Sequence, residues 1–84
     1  LGIGGNMKPV DIADITSFIE TNFTNGRQVA SDEDLLLSGQ IDSVGIMALV
    51  AFLEEAREAP IPPQDVTLEN FKTINDISAY INNG

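Results

Sequence analysis

The stretch from Val44 to Leu53 carries neither charge nor proline and is fenced by turn signals, Ser38-Gly39 before it and Ala59-Pro60-Ile61-Pro62-Pro63 after it. Such a run forms a helix, expected to begin at Asp42 or Ser43 and to reach about Glu58. On it, Ile46, Leu49, Val50 and Leu53 recur at the spacing of a core stripe, with Met47 at its edge. The other side shows Val44, Gly45, Ala48, Ala51, Phe52 and Glu55, small and apolar where a solvated helix normally shows charge. A helix apolar on two sides belongs inside a bundle. Its second face is covered either by another helix of the domain or by a partner.

The flanking segments read as helices too. Pro9 suits a first turn, Asp11 and Asp14 favour the positive end of the helix dipole, and Ile12, Ile15, Ile19 and Phe23 recur at three and four. Asn25-Gly26 ends that helix with a left-handed exit. Residues 27–40 show no sustained period; Ser31 to Asp34 could open one helical turn, and Leu35, Leu36 and Leu37 need burial. The acids Asp32, Glu33 and Asp34 do not make a calcium loop, because no glycine marks the sharp turn and no glutamate closes twelve residues. After the prolines, Thr67 can cap a short helix Leu68 to Phe71 with Val66, Leu68 and Phe71 facing inward. Thr73 and Asp76 imitate a capping box ahead of Ile74, Ile77, Tyr80 and Ile81, and Asn82-Asn83-Gly84 ends the last helix. With no strand signal, the expected fold is all-α: a four-helix bundle, three helices longer and one short, with a long loop between the first two. Residues 1–8, Gly-rich up to Met7-Lys8, are expected to be a loose or non-native end, and 9–84 the domain.

Composition removes whole classes of chemistry. With no cysteine, histidine or tryptophan in 84 residues, neither the usual zinc sites nor thiol or Ser-His-Asp nucleophiles can be built, so an enzyme and a metal site are not expected. The formal charge is −9, with Lys8, Arg27, Arg57 and Lys72 the only bases. That balance disfavours nucleic acid and anionic membranes and favours partners with basic patches, although acidity also simply keeps a small domain soluble. No segment has the length of a membrane span and no secretory signal is evident, so a cytoplasmic monomer is expected and the sequon Asn22-Phe23-Thr24 carries little weight.

Asp42-Ser43 sits where the central helix starts. A phosphate on the Ser43 oxygen would lie beside unpaired amides at the positive helix end, where an anion is readily held. The plainer reading is that Asp42 or Ser43 is an N-cap.

The ordered set of helix, long loop, Asp42-Ser43-Val44, apolar helix ending in Glu54-Glu55, Ile61-Pro62 and two further helices resembles the acyl carrier proteins, from about Pro9 to Ile81. Peptidyl and aminoacyl carriers share the pattern. The resemblance implies that Ser43, preceded by Asp42, receives 4′-phosphopantetheine from coenzyme A through a separate Mg-dependent transferase, and that the arm's thiol holds an acyl or aminoacyl thioester. The sulfur missing from the chain would then belong to the cofactor. It further implies docking of basic ligases, acyl-transfer or condensing enzymes through Val44, Gly45, Ala48, Phe52, Glu54 and Glu55, and shelter for an acyl chain among Met47, Val50, Leu68 and Phe71. Fatty-acid-synthesis members usually carry acids where this chain has Gly45 and Ala48. That departure points to a specialised carrier of lipid, polyketide or peptide biosynthesis, acyl cargo being preferred over aminoacyl. The alternative of another class is an unmodified helical adaptor that docks through the central helix.

Overall fold

A computed structural model describes residues 8–83, so the expectation for residues 1–7 lies outside the described residues. In order come α1 (Ile12–Phe23), α2 (Ser43–Arg57), a single 3-10 turn (Pro63–Asp65), α3 (Leu68–Phe71) and α4 (Ile74–Asn83). No strand occurs among the described residues. The fold is the all-α bundle expected: α4 packs on α1 and α3, and α1 on α2. Ile15, Ile19, Leu35, Leu49, Leu53, Phe71, Ile74 and Ile77 are completely buried between them.

The first helix starts later than Pro9 suggests. Asp11 is the cap, its carboxylate accepting from the Ala13 N–H at 3.1 Å. Pro9 and Val10 run ahead of the helix. Val10 is buried and exchanges two hydrogen bonds with the Asn82 side chain, at 2.8 and 3.1 Å. Ile12, expected on the core stripe, is 39% exposed, because Val10 fills the inward place at that end. Lys8, assigned to the loose end by the sequence, donates its N–H to the Arg57 carbonyl at 3.0 Å and pairs with Glu58 at 3.1 Å. At the other end of α1, Asn25 (φ 55°) and Gly26 (φ 90°) supply the left-handed exit.

The long loop is tied down by its own acids. Asp34 Oδ1 accepts from the amides of Leu36 (3.0 Å) and Leu37 (2.7 Å), and Ser38 Oγ donates to the Asp34 carbonyl at 2.5 Å. This tight turn can send only one leucine fully inward, so Leu35 is buried, Leu36 half-buried and Leu37 71% exposed, against the expectation for all three. Ser31 to Asp34 form a turn without a helix. Glu33 pairs with Arg27 at 3.1 Å, and that hydrogen bond holds its carboxyl below the ordinary range.

Arg57 is the unexpected member of the interior, 3% exposed. Its Nε donates to the Ala59 carbonyl at 3.2 Å, Nη2 to the Pro60 carbonyl at 2.5 Å, and the guanidinium lies 5.6 Å from the centre of the Tyr80 ring. The Tyr80 hydroxyl in turn donates to Asp65 Oδ2 at 2.7 Å. This bracket ties the end of α2 and the middle of α4 to the 3-10 turn.

Burial, then the Asp65 hydrogen bond and charge, push the Tyr80 phenol above its ordinary value. A raised folded-state value means that Tyr80 contributes stability in full below the unfolded value of about 10, and that this contribution is lost as pH climbs through the folded value. Tyr80 is the only tyrosine and there is no tryptophan, so phenolate absorbance reads it alone. The titration midpoint is expected to lie above that of the same chain in denaturant, and Tyr80→Phe to remove the matching alkaline loss of stability. A native midpoint at or below the denatured one would contradict this.

Candidate functional site around Ser43

Asp42 caps α2 in extended conformation, φ −94° and ψ −175°, with Oδ1 accepting from the Gly45 N–H at 2.7 Å. Its carbonyl accepts from the Ile46 N–H at 2.9 Å. Ser43 is therefore the first helical residue, exposed, with the amides of Ser43 and Val44 left without helical partners. No acid stands in the first turn of α2 beyond the cap itself. The capping and modification readings are compatible: Asp42 does the capping, and the Ser43 hydroxyl is left facing outward.

The residues expected to dock partners differ in exposure. Val44 is 76% exposed, and Ala48, Ala51 and Glu55 are exposed with it. Gly45 is not: it is buried, and a Cβ there would come 2.8 Å from Phe23 Cε1, 3.1 Å from Ile41 Cγ2 and 3.2 Å from Asp42 Oδ1. Its lack of a side chain lets the end of α1 close onto α2. Phe52 is half-buried because its ring stacks on Phe18, with centroids 4.3 Å apart and planes 13° apart. Glu54 is half-buried and accepts the Ile61 N–H at 2.7 Å, so its charge is engaged in holding the proline loop. Met47, by contrast, stands 71% exposed beside Val44 and Ala48 on the outer surface.

Of the depressions beside α2, one at its C-terminal end is lined by Glu54, Glu55 and Glu58, and two others have mainly apolar walls. Of these two, one, of about 370 Å³, opens at Ser43 and Asp42 and is walled by Leu36, Ile41, Ile46, Val66, Leu68 and Phe71, with Thr67 a further polar lining residue. The other, of about 320 Å³, lies further along α2 among Met47, Val50, Ala51, Glu54, Ile61 and Pro63, and again Ile46 and Val66. The four residues expected to line one acyl pocket are thus divided, Leu68 and Phe71 in the first and Met47 and Val50 in the second. Leu68, expected inward, is 46% exposed at the rim, since α3 is a single turn and cannot bury both Leu68 and Phe71. Leu36, expected from the sequence only to need burial, and Ile41 were not among the residues expected to line a pocket. They come from the aperiodic loop, where no spacing tells which side chain turns inward.

A protein-family model described as a phosphopantetheine attachment site matches residues 12–81 of the 84. The chain belongs to this phosphopantetheine-attachment family. No curated protein matches it. Members carry a covalent 4′-phosphopantetheine and serve as carriers rather than catalysts, working with a phosphopantetheinyl transferase and with partner enzymes. The residues around Ser43 fit such a group: an exposed hydroxyl, two amides without partners, an uncharged first turn, and an apolar hollow starting at the same serine. No helix among the described residues is long and apolar enough to cross a membrane.

Proposed function

We propose that this carrier holds acyl intermediates as thioesters on a phosphopantetheine arm attached to Ser43. The observation that carries the reading is that the exposed Ser43 hydroxyl stands at the mouth of an apolar depression, so a cargo returning along the arm meets apolar walls. When bound, the arm supplies the thiol that the chain lacks. The protein supplies position, shelter and a surface for other enzymes to recognise.

Partners dock on Val44, Met47, Ala48 and Ala51, and Asp42 and Glu55 steer basic surfaces toward them. Gly45 and Glu54 drop out of that contact, one because it is packed under Phe23 and the other because it is bonded to Ile61. With no acid at Ala48, apolar contact has a larger share in holding the partner and charge in guiding its approach. A cytoplasmic monomer is the form that suits this role.

Aminoacyl cargo is the second reading, favoured by the neutral start of α2. Protein isolated from its native cells under mildly acidic conditions, which preserve thioesters, decides between them. Hydroxylamine-labile masses of acyl groups on the arm are expected. Amino-acid masses would establish the second reading, and a chain bearing no arm would return the protein to the class of helical adaptors.

A further inference from the structure

Ile46 and Val66 line both apolar depressions, and so mark the boundary between them. Both are half-buried. Were that boundary drawn back, the hollow at Ser43 would continue along α2 toward Val50 and Ile61. Val66 is not placed by core packing alone. It directly follows Asp65, which is fixed at three points: its N–H donates to the Pro62 carbonyl at 2.9 Å, its carbonyl accepts from Asn70 Nδ2 at 2.9 Å, and its carboxylate accepts from Tyr80 at 2.7 Å. Val66 itself donates its N–H to the Pro63 carbonyl at 3.1 Å. Behind Tyr80 stands the buried Arg57, which holds Ala59 and Pro60 at the start of the same loop.

We propose that Ile46 and Val66 form a length stop that confines the sheltered cargo to a short acyl chain in the depression beside Ser43, and that the Arg57–Tyr80–Asp65 bracket positions Val66 to make it. The inference rests on the attachment at Ser43 argued above and specifies the cargo. A cargo bound only in the folded state raises stability in proportion to the apolar surface it buries, so the stop must appear as a chain length beyond which added carbons bring no further gain.

The test uses a broad-range phosphopantetheinyl transferase with magnesium to load the full chain with arms from coenzyme A and from acyl-coenzyme A of increasing length, 3′,5′-adenosine bisphosphate leaving in each transfer. Intact mass confirms one arm per chain, and each acyl form is melted against the bare-arm form of the same variant, which cancels the variant's own effect on folding. In the wild type the melting temperature should rise over the shortest chains and then level off. Val66→Ala should carry the rise several degrees further and to longer chains, and Val66→Leu should level off sooner. Tyr80→Phe, which frees the Asp65 carboxylate without changing any lining residue, should also move the plateau to longer chains, a readout that a merely structural tyrosine would leave in place. A plateau at the same length in the wild type, Val66→Ala and Val66→Leu would overturn the stop, as would a series in the wild type that is flat or rises without limit. A plateau that moves with both Val66 variants but not with Tyr80→Phe would overturn the role of the bracket. Absence of the arm in the wild type would overturn the attachment reading instead, and the mass measurement shows that before any melting is done.

Discussion

Given coenzyme A, magnesium and a broad-range phosphopantetheinyl transferase, the wild-type chain should gain the mass of one arm and Ser43→Ala none. The effect is all-or-none because the serine oxygen is the atom that would be bonded to the phosphate. The control is favourable. Ser43 is exposed at the first position of α2, and the cap is the Asp42 carboxylate on the Gly45 amide, so removing the hydroxyl leaves the helix start intact. Helical circular dichroism and the melting curve of Ser43→Ala should therefore match those of the unmodified wild type, apart from the slightly better helix propensity of alanine, worth at most ~0.5 kcal/mol. An arm still gained by Ser43→Ala, or one never gained by the wild type while a known carrier in the same tube is modified, would refute the assignment.

The second large effect separates two residues that the sequence presents as alike. An introduced acid should be tolerated by the fold at position 48 and rejected at position 45. Ala48 is exposed, so Ala48→Glu should shift the denaturant midpoint little while weakening a partner that docks on the apolar face. Gly45→Asp drives a Cβ to within 2.8 Å of the Phe23 ring and sets a carboxylate near the Asp42 carboxylate that caps the helix. Phe23 has little room to yield, since its ring packs edge-on against Phe18, centroids 5.9 Å apart, and Phe18 is itself stacked on Phe52. Overpacking of this kind costs about 1–3 kcal/mol, of which the small helix preference of aspartate over glycine, about 0.3 kcal/mol, returns only a little. Equal denaturation midpoints for Gly45→Asp and Ala48→Glu would show that the Phe23 contact does not constrain this position.

The four helices were legible because their apolar residues repeat and their ends carry Asp11, Gly26, Asp42, Thr67 and Thr73, each of which acts at a helix terminus in the structure. What escaped was finer than the period. Gly45, Leu49, Leu53 and Arg57 form one row spaced by four along α2, and all four are buried. The row was hidden because its two ends are residues that do not look like core, a glycine and an arginine. Glycine gives no hydropathy signal, and a basic residue in a last turn is ordinarily solvated at the negative end of the helix dipole. Arg57 goes inside because the turn made by Glu58 (φ 59°) brings the Ala59 and Pro60 carbonyls within its reach, a circumstance three-dimensional in origin. At the candidate site, the start of α2 at Ser43 and its Asp42 cap were legible for the opposite reason: both depend on neighbours in sequence. The walls of the depression depend on where an aperiodic loop and a one-turn helix come to rest.

The clasp between Val10 and Asn82, with Lys8 bonded to the last residue of α2, brings the two ends of the described segment to the pole where α2 finishes. Ser43 begins that same helix, about 20 Å away at 1.5 Å per residue. In mechanical terms the domain is a boom with its pivot at one end and its hook at the other. Force applied through Lys8 or Asn82 would therefore act on the pivot, and Ser43 at the hook would lie at the far end of the helix from it.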